Sequence, residues 1–465
     1  MGQQHRSNAV RNATHLLAGS TLIRGSKPWE TVSVRMRKAA SKRQPAAKKF
    51  PKPWLRHGRA TLYSRTMRFA MHPWSVPGPA AATALALVVV AASVGHAFET
   101  PKSWGGLEPG PHAVGFRVLH TYDHGRGAPK DTTDVQQRDR SRPMQVSMWY
   151  PAQVDAGTTR MPYGIYLGLS LGRHDFSVGK DARREVALGI AERRIAKYKA
   201  AVEPREWVEL ETAAVRDAAQ APGSFPVVLY APGFSQPAFD NSLVCELLAS
   251  HGYVVLAAPS VGATSARMTE DLSGIEAQVR DLEFLVAVAH DFPACDTRRI
   301  GAFGWSWGDI AVVLQQMRNR YIDAIISYDG SLEWNVGLAR QALHFDPQRL
   351  NVPYLYACQG GLKGKSFEFF DALNPADAAI LHFHRLTHGE FGSYRALLHN
   401  GFPDQFDYDT RSYEALCLYT LRFFAAHLSD DAGSRSFLAR SPAQNGFEAE
   451  LVEGRCILDG TPNTR

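Results

Sequence analysis

The stretch RRIGAFGWSWGDIAVVLQQM, Arg298 to Met317, decides the reading of the fold. An apolar segment passes through two glycines, two tryptophans and a serine into a second apolar segment. At its centre stands Gly304-Trp305-Ser306-Trp307-Gly308, a G-x-S-x-G pentapeptide. The bare pattern is weak in a glycine-rich chain, so its context must decide. Arg299 to Phe303 reads as a buried strand, and a helix is expected from Gly308. A sharp strand-to-helix turn of this kind lifts a serine out as a nucleophile. The glycines leave room for the turn. The helix N-terminus beneath it offers unpaired N–H groups and a positive dipole end to an oxyanion.

Outward from this turn, short apolar runs alternate with helical patterns. VGFRVLHTY (114–122) and MQVSMWYPA (144–152) read as an opening antiparallel pair. FPVVLYAPG (225–233), GYVVLAAPS (252–260), IDAIISYDG (322–330), VPYLYACQG (352–360) and AILHFHRLTH (379–388) read as further strands. Helices are expected near 241–250, over 274–291, and over 410–428 as the closing element. The alternation implies an α/β protein, with a mostly parallel sheet and helices on both faces. A long insertion at 160–222 contains a helical segment, DARREVALGIAERRIAKYKAAV. It is expected either to cap a site or to decorate the surface. The tail, 431–465, is polar and carries no clear signal.

A serine nucleophile needs a base, and the base an orienting acid. In such sheets functional groups follow the C-terminal ends of strands. Asp329 does so 23 residues after Ser306, and His388 does so 59 residues later. Asp323 lies at the wrong end of its strand, while Glu333, Asp346 and Asp371 are weaker rivals. The strand VPYLYACQG ends without an acid, which strengthens Asp329. His382 and His384 read as core histidines within the last strand. His344 and His399, the latter in a following loop, are weaker candidates. The oxyanion is expected to meet the backbone N–H of Trp307 and that of Phe234 in YAPGFSQ. Trp305 is expected to line the substrate pocket.

The formal net charge of +7 is unevenly placed. Residues 1–66 hold fifteen Lys and Arg against one acid, Glu30, and the remainder carries −7. The folded body therefore gives no reason to expect a nucleic-acid partner. Residues 1–66 lack apolar periodicity and read as a disordered extension. Residues 67–97 follow with a basic start, an apolar run from Ala80 to Val94, and small residues at Gly95 and Ala97. This is the pattern of a secretory signal cleaved after Ala97, with an uncleaved membrane anchor as the alternative. The pattern suggests a true start at Met67 or Met71 and export to the periplasm or medium. No stable membrane span is expected after cleavage. The catalytic body is then 98–430. Five cysteines, Cys245, Cys295, Cys358, Cys417 and Cys456, allow one or two disulfides in an oxidising compartment, Cys456 with Cys417 or another thiol. No C-x-x-C or H-E-x-x-H points to zinc.

In the order Ser306, Asp329, His388, with the acid after the strand following the nucleophile strand, the chain resembles the platelet-activating-factor acetylhydrolase group of α/β-hydrolases. Dienelactone-hydrolase-like bacterial proteins are close relatives of that group. GPHAVGFRVLHTYDHGR, RPMQVSMWYPA, SHGYVVLAAPSVGATS and THGEF carry the resemblance, which covers about 110–428. It implies an α/β-hydrolase fold, the triad named above, Phe234 and Trp307 as oxyanion donors, a small-molecule or lipid ester as substrate, and no cofactor. The chain departs from the group in Gly308-Asp309, where Gly-Gly is usual, and in the paired tryptophans around Ser306. Dienelactone hydrolases proper carry cysteine at the turn, so their activity is not expected. A binding protein on the same fold and a serine peptidase of the same mechanism are the rival readings.

Overall fold

The computed structural model describes residues 100–129, 141–155, 157–173, 175–373, 377–458 and 461–462, all of them within one compact unit. The basic extension and signal-like segment expected over 1–97 lie outside these residues.

The chain opens with β1 (Ala113–Gly127) and β2 (Ser141–Gln153), paired antiparallel with Ala113 opposite Ala152. The insertion contributes α1 (Gly164–Gly168), α2 (Lys180–Tyr198) and α3 (Pro204–Glu209), then β3 (Ala214–Arg216) and β4 (Ala219–Gln220). The central part runs β5 (Phe225–Ala231), α4 (Ser242–Ser250), β6 (Val254–Ala257), α5 (Leu272–Asp291), β7 (Cys295–Trp305), α6 (Trp307–Asn319) and β8 (Ala324–Tyr328). It continues through α7 (Leu332–Ala339), β9 (Tyr354–Gln359), α8 (Glu368–Ala372), β10 (Ala378–Phe383), α9 (Tyr394–Gly401) and α10 (Arg411–Leu428). The chain ends with α11 (Ala432–Leu438), β11 (Val452–Leu458) and β12 (Thr461–Pro462).

These strands form one sheet in the order β12-β11-β10-β9-β8-β7-β5-β6-β2-β1-β3, with β4 paired to β2. The strands from β6 to β10 are mutually parallel, as their unbroken apolar runs require when both faces are buried. Successive side chains alternate between two cores. Val228 and Tyr230 of β5 join Leu247 of α4 and Phe424 of α10 on one face. Val227 and Leu229 join Leu282 of α5 and Val313 of α6 on the other.

Four expectations need correction. The tail is not featureless, because β11 pairs antiparallel with β10, Val452 opposite Phe383 and Cys456 opposite Ala379. It was illegible because a strand near a sheet edge has no need of a continuous apolar run. β10 ends at Phe383, so His384 lies beyond the strand, and its Nε2 meets Glu453 Oε1 at 2.8 Å. His399 belongs to α9 rather than a loop. Cys245, Cys295, Cys358 and Cys417 are free thiols.

Guanidinium–ring contacts link α2, α9 and the segment after α9. Arg194 lies 3.9 Å from the Tyr394 ring, and Arg395 lies 4.3 Å from that of Tyr408 and 5.5 Å from that of Tyr198.

Candidate active site

The turn between β7 and α6 is dictated by space. A Cβ on Gly304 would stand 2.5 Å from the Asp309 nitrogen, and one on Gly308 only 2.0 Å from the Ala231 carbonyl oxygen. Only glycine fits at either position. Between them Ser306 adopts φ 55° and ψ −118°, a conformation that costs a non-glycine residue about 1–3 kcal/mol. The surroundings enforce it. Ser306 N–H donates to the Tyr328 carbonyl at 3.0 Å, and the Ser306 carbonyl accepts from Ser331 N–H at 2.9 Å.

Three sequence-expected residues meet here. Ser306 Oγ lies 2.9 Å from His388 Nε2, and His388 Nδ1 lies 2.6 Å from Asp329 Oδ2. Each comes from the C-terminal end of a different parallel strand. Asp329 follows β8 with φ 43°. Its carboxylate is buried and accepts from Gln359 N–H and from Gln359 Nε2, both at 3.0 Å. His388 opens a short 3₁₀ turn, His388–Phe391, whose capping box links Thr387 and Glu390. Glu390 is in turn ion-paired with Arg395. The His388 side chain remains 49% exposed, so the relay opens to solvent at the end reached by the nucleophile.

Phe234 and Trp307 stand together, their rings 5.6 Å apart and at 88°. Among the described residues neither backbone N–H has an acceptor: Phe234 lies in the turn after β5, and Trp307 is the first residue of α6. Gly233 brings the Phe234 turn close: a Cβ there would lie 3.4 Å from Ser306 Cβ. Two N–H groups so placed can receive an oxyanion. Trp305 is 7% exposed, and its Nε1–H donates to the His388 carbonyl at 3.2 Å. Its ring lies 5.9 Å from the imidazole. The indole thus braces the His388 turn.

Three of the rivals are occupied elsewhere. Asp323 accepts from Ile300 N–H at 2.8 Å at the opposite end of the sheet. Glu333 accepts from Phe369 and Phe370 N–H, and burial pushes its carboxyl up to about 6. His382 Nδ1 lies 3.2 Å from Cys358 Sγ.

Three further residues escaped the sequence reading. Gln359 ends the strand noted for lacking an acid, and supplies the amide that clamps the acid of its neighbour. Ser331 Oγ lies 3.3 Å from Ser306 Oγ. Asp309, on the first turn of α6, is fully buried, with Tyr354 OH donating to Oδ1 at 3.3 Å. Burial pushes its carboxyl up to about 7. The unusual Gly308-Asp309 pair was the only sequence signal for it.

A cavity of about 440 Å³ lies apart from this chemistry, against Lys363, Phe367, Phe370, His382 and Arg455. Its lining includes none of Ser306, Asp329 or His388. Among the described residues, no three His, Cys, Asp or Glu side chains gather closely enough to hold a metal ion. No helix there is long and apolar enough to cross a membrane.

No protein-family model matches the chain, and no curated protein matches it in sequence. Among solved structures it is similar to a ferulic acid esterase from Streptomyces cinnamoneus, at 21% identity and a TM-score of 0.50. The match covers 73% of this chain and 96% of that one. At this identity the likeness is one of architecture, and it agrees with the sheet order and the strand-to-helix turn: the chain has an α/β-hydrolase fold.

Proposed function

We propose that the protein is an exported serine hydrolase of carboxylic esters, working through Ser306, His388 and Asp329. The observation that carries this reading is the continuous hydrogen-bonded relay from Ser306 Oγ through His388 to Asp329, at 2.9 and 2.6 Å. His388 Nε2 takes the proton from Ser306 Oγ as it attacks the ester carbonyl. Asp329, fixed by Gln359, holds His388 Nδ1–H in the tautomer that leaves Nε2 free to accept, and stabilises the imidazolium. The Phe234 and Trp307 N–H groups receive the oxyanion, each lowering the barrier by about 3 kcal/mol. His388 returns the proton to the leaving alcohol. Water, deprotonated by the same imidazole, then releases the acid from the acyl-enzyme. This chemistry uses no metal or organic cofactor.

The ferulic acid esterase of similar fold supports an ester as the substrate class. The acid after β8 supports the narrower placing with acetylhydrolase-like enzymes, whose substrates are small-molecule or lipid esters. Export rests on the signal-like run over 67–97. The insertion over 160–222 is a cap in this reading, supported by the hydrogen bond from Arg173 Nη1 to the Ser235 carbonyl, next to Phe234.

The test is hydrolysis of p-nitrophenyl esters of increasing acyl length, together with labelling by a fluorophosphonate. Ser306→Ala is expected to lower kcat by about a thousandfold or more and to abolish labelling. A folded parent that neither cleaves any ester nor takes the label would refute the reading, and a binding role would replace it.

A further inference from the structure

Three arginines packed against the body of this protein meet carboxylates, while Arg194 lies against tyrosines. Arg142, 3% exposed, gives Nε and Nη2 to the two oxygens of Asp281 at 2.8 and 2.7 Å. Arg126 pairs with Asp281 and Asp123. Arg318 pairs with Glu276 and Glu283. The desolvation of a guanidinium is large, and a facing carboxylate offsets it.

Arg173, carried by the insertion between α1 and α2, is different. Its Nη1 donates to the Ser235 carbonyl at 3.1 Å, and that is its one hydrogen bond among the described residues. Nε is buried and has no acceptor. Among the described residues no carboxylate forms an ion pair with the group. Burial pulls its pKa down, the direction expected for a cation without a counterion. Asp240 lies within electrostatic reach but does not pair with it, and burial pushes that carboxyl up to about 7. Asp240 Oδ2 and Tyr163 OH, nearby in the same interior, are also buried without partners. With Nη1 held by Ser235, the Nε–Nη2 edge has no acceptor among the described residues. That is the edge Arg142 presents to Asp281, and its two parallel N–H groups match a carboxylate.

The place of this edge matters. Ser235 follows Phe234, and Gly233 leaves only a small gap to Ser306. A group bound at Arg173 therefore sits beside the turn that faces the nucleophile.

We propose that Arg173 binds a carboxylate carried by the substrate, so that the preferred substrates are esters that bear a second, free carboxylate on the acyl or the alcohol part. This inference rests on the ester-hydrolase reading above. The free carboxylate would supply the counterion and the two acceptors that Arg173 lacks, and the bond that reacts would remain the ester at Ser306.

The experiment compares monoethyl adipate with ethyl heptanoate, its neutral near-isostere, and 4-acetoxybenzoate with phenyl acetate. The first pair places the carboxylate in the acyl part and the second in the alcohol part. The expected result is a kcat/KM ratio, charged over neutral, of about tenfold to a hundredfold in one pair, since hydrogen bonds to a charged group are of that size. In Arg173→Gln the ratio should fall to about one, and in Arg173→Lys, which keeps the charge but not the fork, it should fall part of the way. A parent ratio near one in both pairs overturns the proposal. So does a ratio that Arg173→Gln leaves unchanged while overall rates fall, because Arg173 would then only hold the Ser235 turn.

A second measurement separates this inference from the hydrolase reading. Calorimetric titration of the folded Ser306→Ala protein with monoethyl adipate and with 4-acetoxybenzoate should show binding of one of them, lost when Arg173→Gln is added. If no ester is cleaved by the parent but this Arg173-dependent binding is seen, the hydrolase reading falls and the carboxylate site stands. If neither ligand is bound, the carboxylate site falls.

Discussion

At the scale of single residues, the candidate site depends on side chains that fix other side chains. Gln359 is the clearest case. Its backbone N–H and its Nε2 both donate to the Asp329 carboxylate, and the acid in turn aligns His388. Gln359→Ala removes only the side-chain donor. Hydrogen bonds to charged groups are worth about 1.5–3 kcal/mol, so kcat/KM is expected to fall by about tenfold, with folding retained. Steady-state kinetics beside a thermal melt checks this. A fall as deep as that of Ser306→Ala would mean that Gln359 does more than align the acid. The triad candidates were legible because each ends a recognisable strand in the expected chain order. Gln359 and Ser331 were not, because their positions depend on how neighbouring strands align. No local pattern records that Tyr328 lies opposite Ala357, which sets Asp329 beside the end of β9.

At the scale of elements, the strand-to-helix turn and the final strand are the informative pieces. The turn has no slack, since a Cβ on Gly308 would strike the Ala231 carbonyl of the adjacent strand. Gly308→Ala is expected to cost about 3 kcal/mol and to displace the Trp307 N–H, so that activity falls further than stability alone explains. Urea unfolding beside kcat separates the two effects. The C-terminal segment is the opposite case, unremarkable in sequence and structural in fact. Leu438, Leu451 and Val452 are 1%, 6% and 1% exposed. Their burial contributes about 5–9 kcal/mol, a large share of a typical domain's stability. The same segment covers the edge of β10, the strand that leads to His388. A chain ending at residue 430 is expected to aggregate through that uncovered edge, with soluble yield and light scattering as the readouts. The central strands were legible because burial on both faces demands unbroken apolar runs, whereas β11 sits one strand from the sheet's edge and obeys no such demand.

At the scale of the whole molecule, two sets of acids pull stability in opposite directions with pH. Burial raises the carboxyls of Asp240 and Asp309 to about 7 and that of Glu333 to about 6. In the unfolded chain these groups titrate near 4, so between about pH 4 and 7 the folded state holds more protons and stability falls as pH rises. Asp296 moves the other way. Hydrogen bonds from Arg298 lead the causes that lower it to about 2, and its contribution is lost as pH falls from about 4 towards 2. The expected profile has maximal stability near pH 4–5, with a decline towards neutrality. Asp309→Asn should flatten that decline, and melting temperatures measured from pH 3 to 8 for both proteins test it. An equal alkaline decline in the variant would mean that the Asp309 carboxyl is already ionised in the fold.

The excursion between β2 and β5 is tied to the sheet twice, by β3, whose Ala214 stands opposite Val114 of β1, and by β4, whose Ala219 stands opposite Gln153 of β2. A segment clipped together at its base behaves as a cassette. Both ties lie at the β1–β2 end of the sheet, apart from the strands that carry the nucleophile turn, the acid and the base. Arg173 rides on this excursion, whereas Ser306, Asp329 and His388 follow strands of the central sheet.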